Sequence, residues 1–239
     1  MDNRKPMARP DLNVNISRRQ FMIYTGTIVF TLGSGRYAFA GQVPSNGINA
    51  RIPPSDGYLL VDINKCQGCT SCMLACTLVH EGVQNPSLAR IQIIQNPFES
   101  YPDDLTIAQC RQCVEPACVE ACPENAIMAP AVIGHVRVID KTRCVGCGEC
   151  QTACPFTPGR PVVSPDELFN DEIKAGKCDL CSQTPYHWDK AGGGPSGKMA
   201  CVEVCPVGAI KFTKTIPVQE GDEGYMVNLR DRSWRRLGY

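Results

Sequence analysis

The 239-residue sequence predicts an α+β protein built from two small modules related by an internal repeat, with short strands and helices and long loops between them. Three observations lead there. Sixteen cysteines fall in four groups of four, with recurring gaps inside the groups. A short apolar run leads into the first and third groups, Tyr58 to Ile63 (YLLVDI) and His135 to Ile139 (HVRVI). A Cys-Pro step and a further apolar run follow the second and fourth, in Cys122 to Met128 (CPENAIM) and Cys205 to Phe212 (CPVGAIKF). Finally, aromatic residues make up only 7% of the chain, so side-chain packing alone does not fill the interior.

The elements follow in order. Ser17-Arg18-Arg19-Gln20-Phe21-Met22, an apolar stretch from Ile23 to Leu32 and Ala38-Phe39-Ala40 have the layout of a twin-arginine signal peptide over residues 1–40. The apolar stretch is well short of the ~20 residues that span a bilayer. The expectation is export to the periplasm in the folded state; an uncleaved anchor or disordered tail is the other reading. Residues 1–40 hold six of the 24 Lys and Arg and two of the 24 Asp and Glu, leaving the remainder with 18 basic and 22 acidic residues, net −4. That excludes nucleic acid as the expected partner. Residues 41–57, rich in Gly, Pro, Asn and Ser, read as a linker.

Cys66, Cys69, Cys72 and Cys76 form the run C-x2-C-x2-C-x3-C, and Cys144, Cys147, Cys150 and Cys154 repeat it with Pro155 following. This is the run in which bacterial ferredoxins give three cysteines to one [4Fe-4S] cluster and the fourth to its neighbour. Cys110, Cys113, Cys118 and Cys122 are a variant with four residues in the middle gap and Pro123 at the end. Cys178 and Cys181 are separated by a long loop from Cys201 and Cys205, closed by Pro206. Thiolate suits iron-sulfur assemblies, and two-residue gaps let one tight loop bring three sulfurs to three iron corners. If helical, Cys72 and Cys76, like Cys150 and Cys154, stand one turn apart and serve two clusters from one helix. Proline stops such a helix; after Cys76 the chain has Thr77, so there the helix is expected to run on through His80. Eight disulfides or C-x2-C zinc sites are the alternatives, but disulfide scaffolds do not call for four clustered groups, and zinc sites want two spaced pairs.

Groups two and three are close in sequence and make a natural pair, leaving groups one and four to join across them. The outer module is then residues 58–104 and 161–215, the inner module residues 105–160, and residues 216–239 an extended C-terminal arm. The arm, with Arg230, Arg232, Arg235, Arg236 and Trp234, is expected to lie on a partner or on the chain itself. An alternating strand, Arg90 to Ile94, and a Gly, Pro and Lys loop over 182–200 carrying Tyr186, His187 and Trp188 interrupt the repeat. His80, His135 and His187 share no ligand spacing and read as surface or packed residues. No phosphate loop, nucleophile elbow, zincin or haem motif is present, so no catalytic residue is assigned.

The four groups together resemble the four-cluster iron-sulfur subunits of molybdenum and tungsten oxidoreductases, the dimethyl-sulfoxide reductase and formate dehydrogenase electron-transfer family. Ser87-Leu88-Ala89-Arg90-Ile91 and Cys110-Arg111-Gln112-Cys113 with Glu115-Pro116 are similar to exported ferredoxin-like partners of aldehyde-oxidoreductase-type enzymes. The resemblance implies two ferredoxin-like dicluster modules and four [4Fe-4S] clusters. Cys66, Cys69, Cys72 and Cys205 would hold the first, and Cys178, Cys181, Cys201 and Cys76 the second. Cys110, Cys113, Cys118 and Cys154 would hold the third, and Cys144, Cys147, Cys150 and Cys122 the fourth. It also implies a non-catalytic subunit passing electrons between a large molybdenum or tungsten subunit and a membrane quinone-linked subunit or cytochrome. With no long C-terminal extension or membrane helix expected, any quinone link falls to another subunit. A free-standing periplasmic polyferredoxin, or a zinc- or disulfide-stabilised binding protein, are the alternatives.

Overall fold

The computed structural model describes residues 52–101, 103–186, 198–221 and 223–236. The signal segment, most of the linker, His187 and Trp188 lie outside the described residues. Four two-stranded antiparallel sheets carry the architecture. Strand β1 (Tyr58–Val61) pairs with β8 (Ile210–Thr213). It thereby joins the segment entering the first cysteine group to the segment leaving the fourth. Strand β4 (Ile127–Met128) pairs with β5 (Val138–Ile139), joining the exit of the second group to the entry of the third. Both sheets are antiparallel pairs of a strand that enters one cysteine group with a strand that leaves another.

Each group also supplies a helix. In the first, α1 (Ser71–Glu81) runs eleven residues to Gly82, whose left-handed φ of 70° ends it with an N–H bond to the Leu78 carbonyl. No proline follows Cys76, and the helix continues through His80 as expected. Where Cys-Pro does follow, one turn remains: α2 (Ala117–Glu120), α3 (Glu149–Thr152) and α4 (Ala200–Glu203). Helix α1 packs against α4, and α2 against α3.

Two hairpins are inserted between the groups. Strands β2 (Ile91–Gln95) and β3 (Leu105–Gln109) form the first, with Ile93 opposite Ile107. The Arg90 to Ile94 alternation marks its first strand within one residue. Strands β6 (Val162–Asp166) and β7 (Glu172–Gly176) form the second, which sequence patterning does not reveal. Pro165 inside β6 and the charged Glu172 and Lys174 inside β7 hide it, because proline and charge both argue against a strand.

Two other expectations are trimmed. HVRVI shortens to Val138–Ile139, because His135 is left-handed at φ 55° and breaks the extended run. YLLVDI ends at Val61, and Ile63–Lys65 turns as a 3₁₀ helix into the first cysteine. The C-terminal arm lies on the chain itself, at least from Tyr225 to Arg230. The Val61 N–H donates to the Tyr225 carbonyl at 2.9 Å, Val227 N–H returns to the Val61 carbonyl at 2.8 Å, and Leu229 N–H reaches Asp62 Oδ2 at 2.7 Å. Tyr225 is buried, and its hydroxyl donates to the Arg111 carbonyl at 2.7 Å. The arm covers the free edge of β1, which would otherwise expose unpaired backbone, and then ends in a one-turn helix α5 (Arg232–Arg235).

The apolar core is small and threaded by sulfur. One cluster gathers Leu59, Val61, Met73, Ile91, Ile107 and Ile210 with five cysteines; a second joins Ala126, Ile127, Ile139 and Ala175 with Cys144 and Cys150. No helix among the described residues is long and apolar enough to cross a membrane.

Candidate metal centres

The sixteen thiols are all free. Twelve converge in three cavities. Cys66, Cys69, Cys72 and Cys205 wall one; Cys76, Cys178, Cys181 and Cys201 wall another; Cys122, Cys144, Cys147 and Cys150 wall the third. The remaining four form a fourth set. Burial pushes the Cys113 thiol up to about 11, and the sulfurs of Cys110, Cys118 and Cys154 push the same way. Cys118 is likewise raised to about 11, chiefly by burial, with Cys110 and Cys154 adding to it. Each of these four thiols therefore lies within electrostatic reach of others of the set.

Helix geometry explains why the sets cross the groups. Cys72 and Cys76 stand one turn apart on α1, and they face different cavities. Cys118 and Cys122 do the same from α2 and its exit, Cys150 and Cys154 from α3, and Cys201 and Cys205 from α4. Each of the four cysteine-bearing helices, with the residues just after it, therefore presents two thiols in different directions.

The loops that bring the other sulfurs in share one backbone turn. The residue before the second cysteine is left-handed in all four groups: Gly68 at φ 65°, Gln112 at 49°, Gly146 at 70° and Leu180 at 53°. Such a turn curls the C-x2-C loop around its occupant, and glycine adopts it without steric penalty. At Gly146 an added Cβ would strike the Ile173 carbonyl oxygen of β7. Gly146→Ala is expected to destabilise the protein by roughly 1–3 kcal/mol for the strained φ alone, read as a lower denaturation midpoint and faster loss of iron at the Cys144 site. An unchanged midpoint would show that the turn can relax.

Backbone amides point at the sulfurs in every site. Ala209 N–H donates to Cys205 Sγ at 3.2 Å, Ala126 N–H to Cys122 at 3.3 Å and Ala175 N–H to Cys144 at 3.4 Å. Arg90 N–H reaches Cys76 at 3.4 Å, Ala200 N–H Cys181 at 3.5 Å and Arg160 N–H Cys154 at 3.4 Å. These donors favour thiolate over thiol and tune the potential of a sulfur-ligated centre. The inserted hairpins form the lids: Ile93 and Ile107 line the Cys66 site, Ile91 the Cys76 site and Ala175 the Cys144 site.

The donor set decides what fits. One zinc ion needs its sulfurs about 2.3 Å from a common point. Four thiols around a wider, apolar-walled space match a cubane, whose corners spread its ligands apart. Without iron, burial raises Cys72 and Cys181 to about 12 and Cys150 to about 11. A bound iron-sulfur cluster would supply the positive charge that such crowded thiolates require.

Sequence reasoning misses a buried ionic network beside the Cys76 site. His80 donates from Nδ1 to the Cys76 carbonyl at 2.8 Å and from Nε2 to Asp179 Oδ1 at 3.0 Å, while its ring lies 3.7 Å from Cys76 Sγ. Both ring nitrogens face acceptors, so the ring is held as imidazolium. Burial and Arg90 lower its pKa, but Asp179 and Cys76 outweigh them and bring it to about 9. Arg90 pairs with Asp179 Oδ2 at 3.2 Å and with Glu81 at 3.2 Å. Lys141 bridges Glu81 and Asp166. The only legible signal is His80 at i+4 from Cys76 on a helix that proline does not stop.

Similarity to known proteins agrees with the geometry. A 4Fe-4S dicluster domain family matches residues 104–215, which include the second, third and fourth cysteine groups. The chain is 35% identical over 153 residues to an aliphatic sulfonate oxidoreductase polyferredoxin-like subunit of Pyrococcus furiosus, covering 62% of this chain and 70% of that one. It belongs to the 4Fe-4S dicluster, ferredoxin-like electron-transport family. Other members include the putative electron transport protein YsaA of Escherichia coli, 31% identical across 68% of this chain and 92% of that one. The electron transport protein HydN of Escherichia coli is 31% identical across 64% of this chain and 85% of that one. As a member of this family, the chain is an iron-sulfur electron-transfer subunit carrying [4Fe-4S] clusters.

Proposed function

We propose that this subunit carries four [4Fe-4S] clusters in a line and passes single electrons between a molybdenum or tungsten catalytic subunit and a membrane or cytochrome partner. The convergence of the cysteines into four sets of four supports the count. Cys66, Cys69, Cys72 and Cys205 hold the first cluster, and Cys76, Cys178, Cys181 and Cys201 the second. Cys110, Cys113, Cys118 and Cys154 hold the third, and Cys122, Cys144, Cys147 and Cys150 the fourth. Bound there, the clusters supply reversible one-electron oxidation and reduction of iron.

The order of the line follows from which thiols feel each other across sites. After burial and its own set, Cys201 is raised by Cys72, linking the second site to the first. Burial and then Cys110 raise Cys178, linking the second to the third. Burial and then Cys118 raise Cys150, linking the third to the fourth. Cys69 and Cys147, exposed in a set otherwise buried or half-buried, belong to the first and fourth sites. The two ends of the line thus reach the surface, where partners collect and deliver electrons, while amides and apolar walls keep water from the middle.

The relative named as an aliphatic sulfonate oxidoreductase subunit supports a place beside a larger oxidoreductase subunit. The twin-arginine motif, outside the described residues, supports export after cluster insertion, since clusters must enter a folding chain in the cytoplasm. Anaerobic purification of the native protein, with iron and acid-labile sulfide analysis, tests the count. Four irons and four sulfides per cysteine set are expected, together with a co-purifying larger subunit. Zinc in place of iron overturns the cluster assignment, and a monomer from native membranes and periplasm overturns the partner.

A further inference from the structure

We infer that the third site, walled by Cys110, Cys113, Cys118 and Cys154, has the most positive reduction potential in the line, because Arg137, Arg160 and Lys177 surround it with buried cations that no carboxylate neutralises. This rests on the four-cluster reading above.

The three side chains are 1%, 9% and 3% exposed. Lys177 Nζ donates to the Arg137 carbonyl at 2.6 Å and to the Cys178 carbonyl at 3.2 Å, and the Arg160 N–H donates to Cys154 Sγ at 3.4 Å. The strongest opposing charges on Lys177 are Cys110, Cys118 and Cys178. For Arg160 they are Cys154, Cys110 and Cys113; for Arg137, after the Tyr58 phenol, they are Cys110, Cys113 and Cys118. None of the three makes an ion pair with a carboxylate among the described residues.

Their hydrogen bonding is also incomplete. Arg137 uses Nη1 on the His135 carbonyl at 2.8 Å, and Arg160 uses Nη1 on the Pro158 carbonyl at 3.0 Å. Arg137 Nε and Nη2 and Arg160 Nε are buried with no protein acceptor. Buried guanidinium groups without a counter-ion or full hydrogen bonding are costly. A thiolate-ligated anionic cluster supplies both the charge and the acceptors.

Lys177 also faces the second site through Cys178, but the charge balance at the other sites is otherwise different. At the second, Arg90 and His80 are matched by Asp179 and Glu81. At the fourth, Lys174, whose Nζ donates to the Cys144 carbonyl at 2.9 Å, pairs with Glu172 at 2.9 Å. At the first, the strongest charges on Cys66 and Cys72 are other cysteines.

Reduction adds one negative charge and no proton, and the electron comes from a one-electron donor. A buried cation stabilises that added charge with little screening by salt. The electron entering the line therefore comes to rest at the third site, one step from the Cys147 end.

The test is a potentiometric titration followed by EPR on anaerobically purified full-length protein whose iron content has first been counted. Cys113→Ser identifies the signal of the third site, and in the unaltered protein that signal is expected to be the first to appear. Lys177→Met and Arg160→Gln should each lower its reduced-to-oxidised ratio at fixed potential at least tenfold, about 59 mV for a one-electron couple. Lys177→Arg should keep it near its original position, and Lys174→Met should leave it in place. If Lys177→Met loses iron, Arg160→Gln decides. A third-site signal that appears after another, or that ignores the lost charge, overturns the inference. Fewer than four clusters in the unaltered protein overturns the four-cluster reading instead.

Discussion

Cys76→Ser is expected to empty or distort the site of Cys178, Cys181 and Cys201 while leaving the site of Cys66, Cys69 and Cys72 intact. Cys76 belongs in sequence to the first group, but α1 turns it one helical step away from Cys72 and into the other cavity. Serine keeps the helix, because Thr77 and the Gly82 cap remain. What is lost is one soft thiolate from a site buried with three others, and a hard hydroxyl is a poor replacement for it as a ligand to cluster iron. On the proposed four-cluster reading, roughly a quarter of the iron should be lost if that cluster fails to assemble. Iron analysis with EPR reads the result. Loss of the signal that also disappears in Cys69→Ser would show that the fourth cysteine stays with its own group and that the crossed arrangement is wrong.

Asp179→Ala is expected to be among the most damaging changes away from the cysteines. Asp179 is 2% exposed and accepts from His80 and Arg90, besides capping the fourth-group loop through the Cys181 and Gln183 amides, both at 3.0 Å. Burial alone would raise its pKa, but the two cations hold the carboxyl well below the usual carboxylate range. Removing it leaves Arg90 with Glu81 only, and His80 with no counter-ion. Breaking one partner from a buried ionic network typically costs about 3–5 kcal/mol. Anaerobic denaturation should show a loss in that range, with the second cluster released first. Asp179→Asn, which keeps the shape and part of the hydrogen bonding, should lose less. Equal stability for Asp179→Ala and the unaltered protein would mean that the loop holds without its ionic clamp.

The parts that sequence patterning makes legible are the local ones. The C-x2-C spacing, the C-x3-C step and the Cys-Pro stop each concern residues within one or two turns, where backbone geometry alone settles the outcome. So α1 outlasts Cys76 because Thr77 replaces proline, and Arg90 to Ile94 forms a strand because its alternation is strong. Hairpin β6–β7 escapes notice because Pro165, Glu172 and Lys174 argue against strands taken singly. Pairing across the hairpin and burial of Lys174 override that preference. Arg137 misleads in the opposite way. It sits between Val136 and Val138 just before β5, and all three are buried, with Cys110, Cys113 and Cys118 near the guanidinium.

Sixteen cysteines at these spacings point to iron-sulfur chemistry and set Cys72 and Cys76, like Cys150 and Cys154, about one turn apart, because ligand spacing is a property of a short stretch of backbone. Tertiary structure alone determines which thiols share a cavity, which cations are buried beside the third site, and that His80 and Asp179, 99 positions apart, close on each other. Those contacts bring together segments distant in the chain. Their energies come from desolvation and charge, which depend on what the whole fold encloses rather than on any local run of residues.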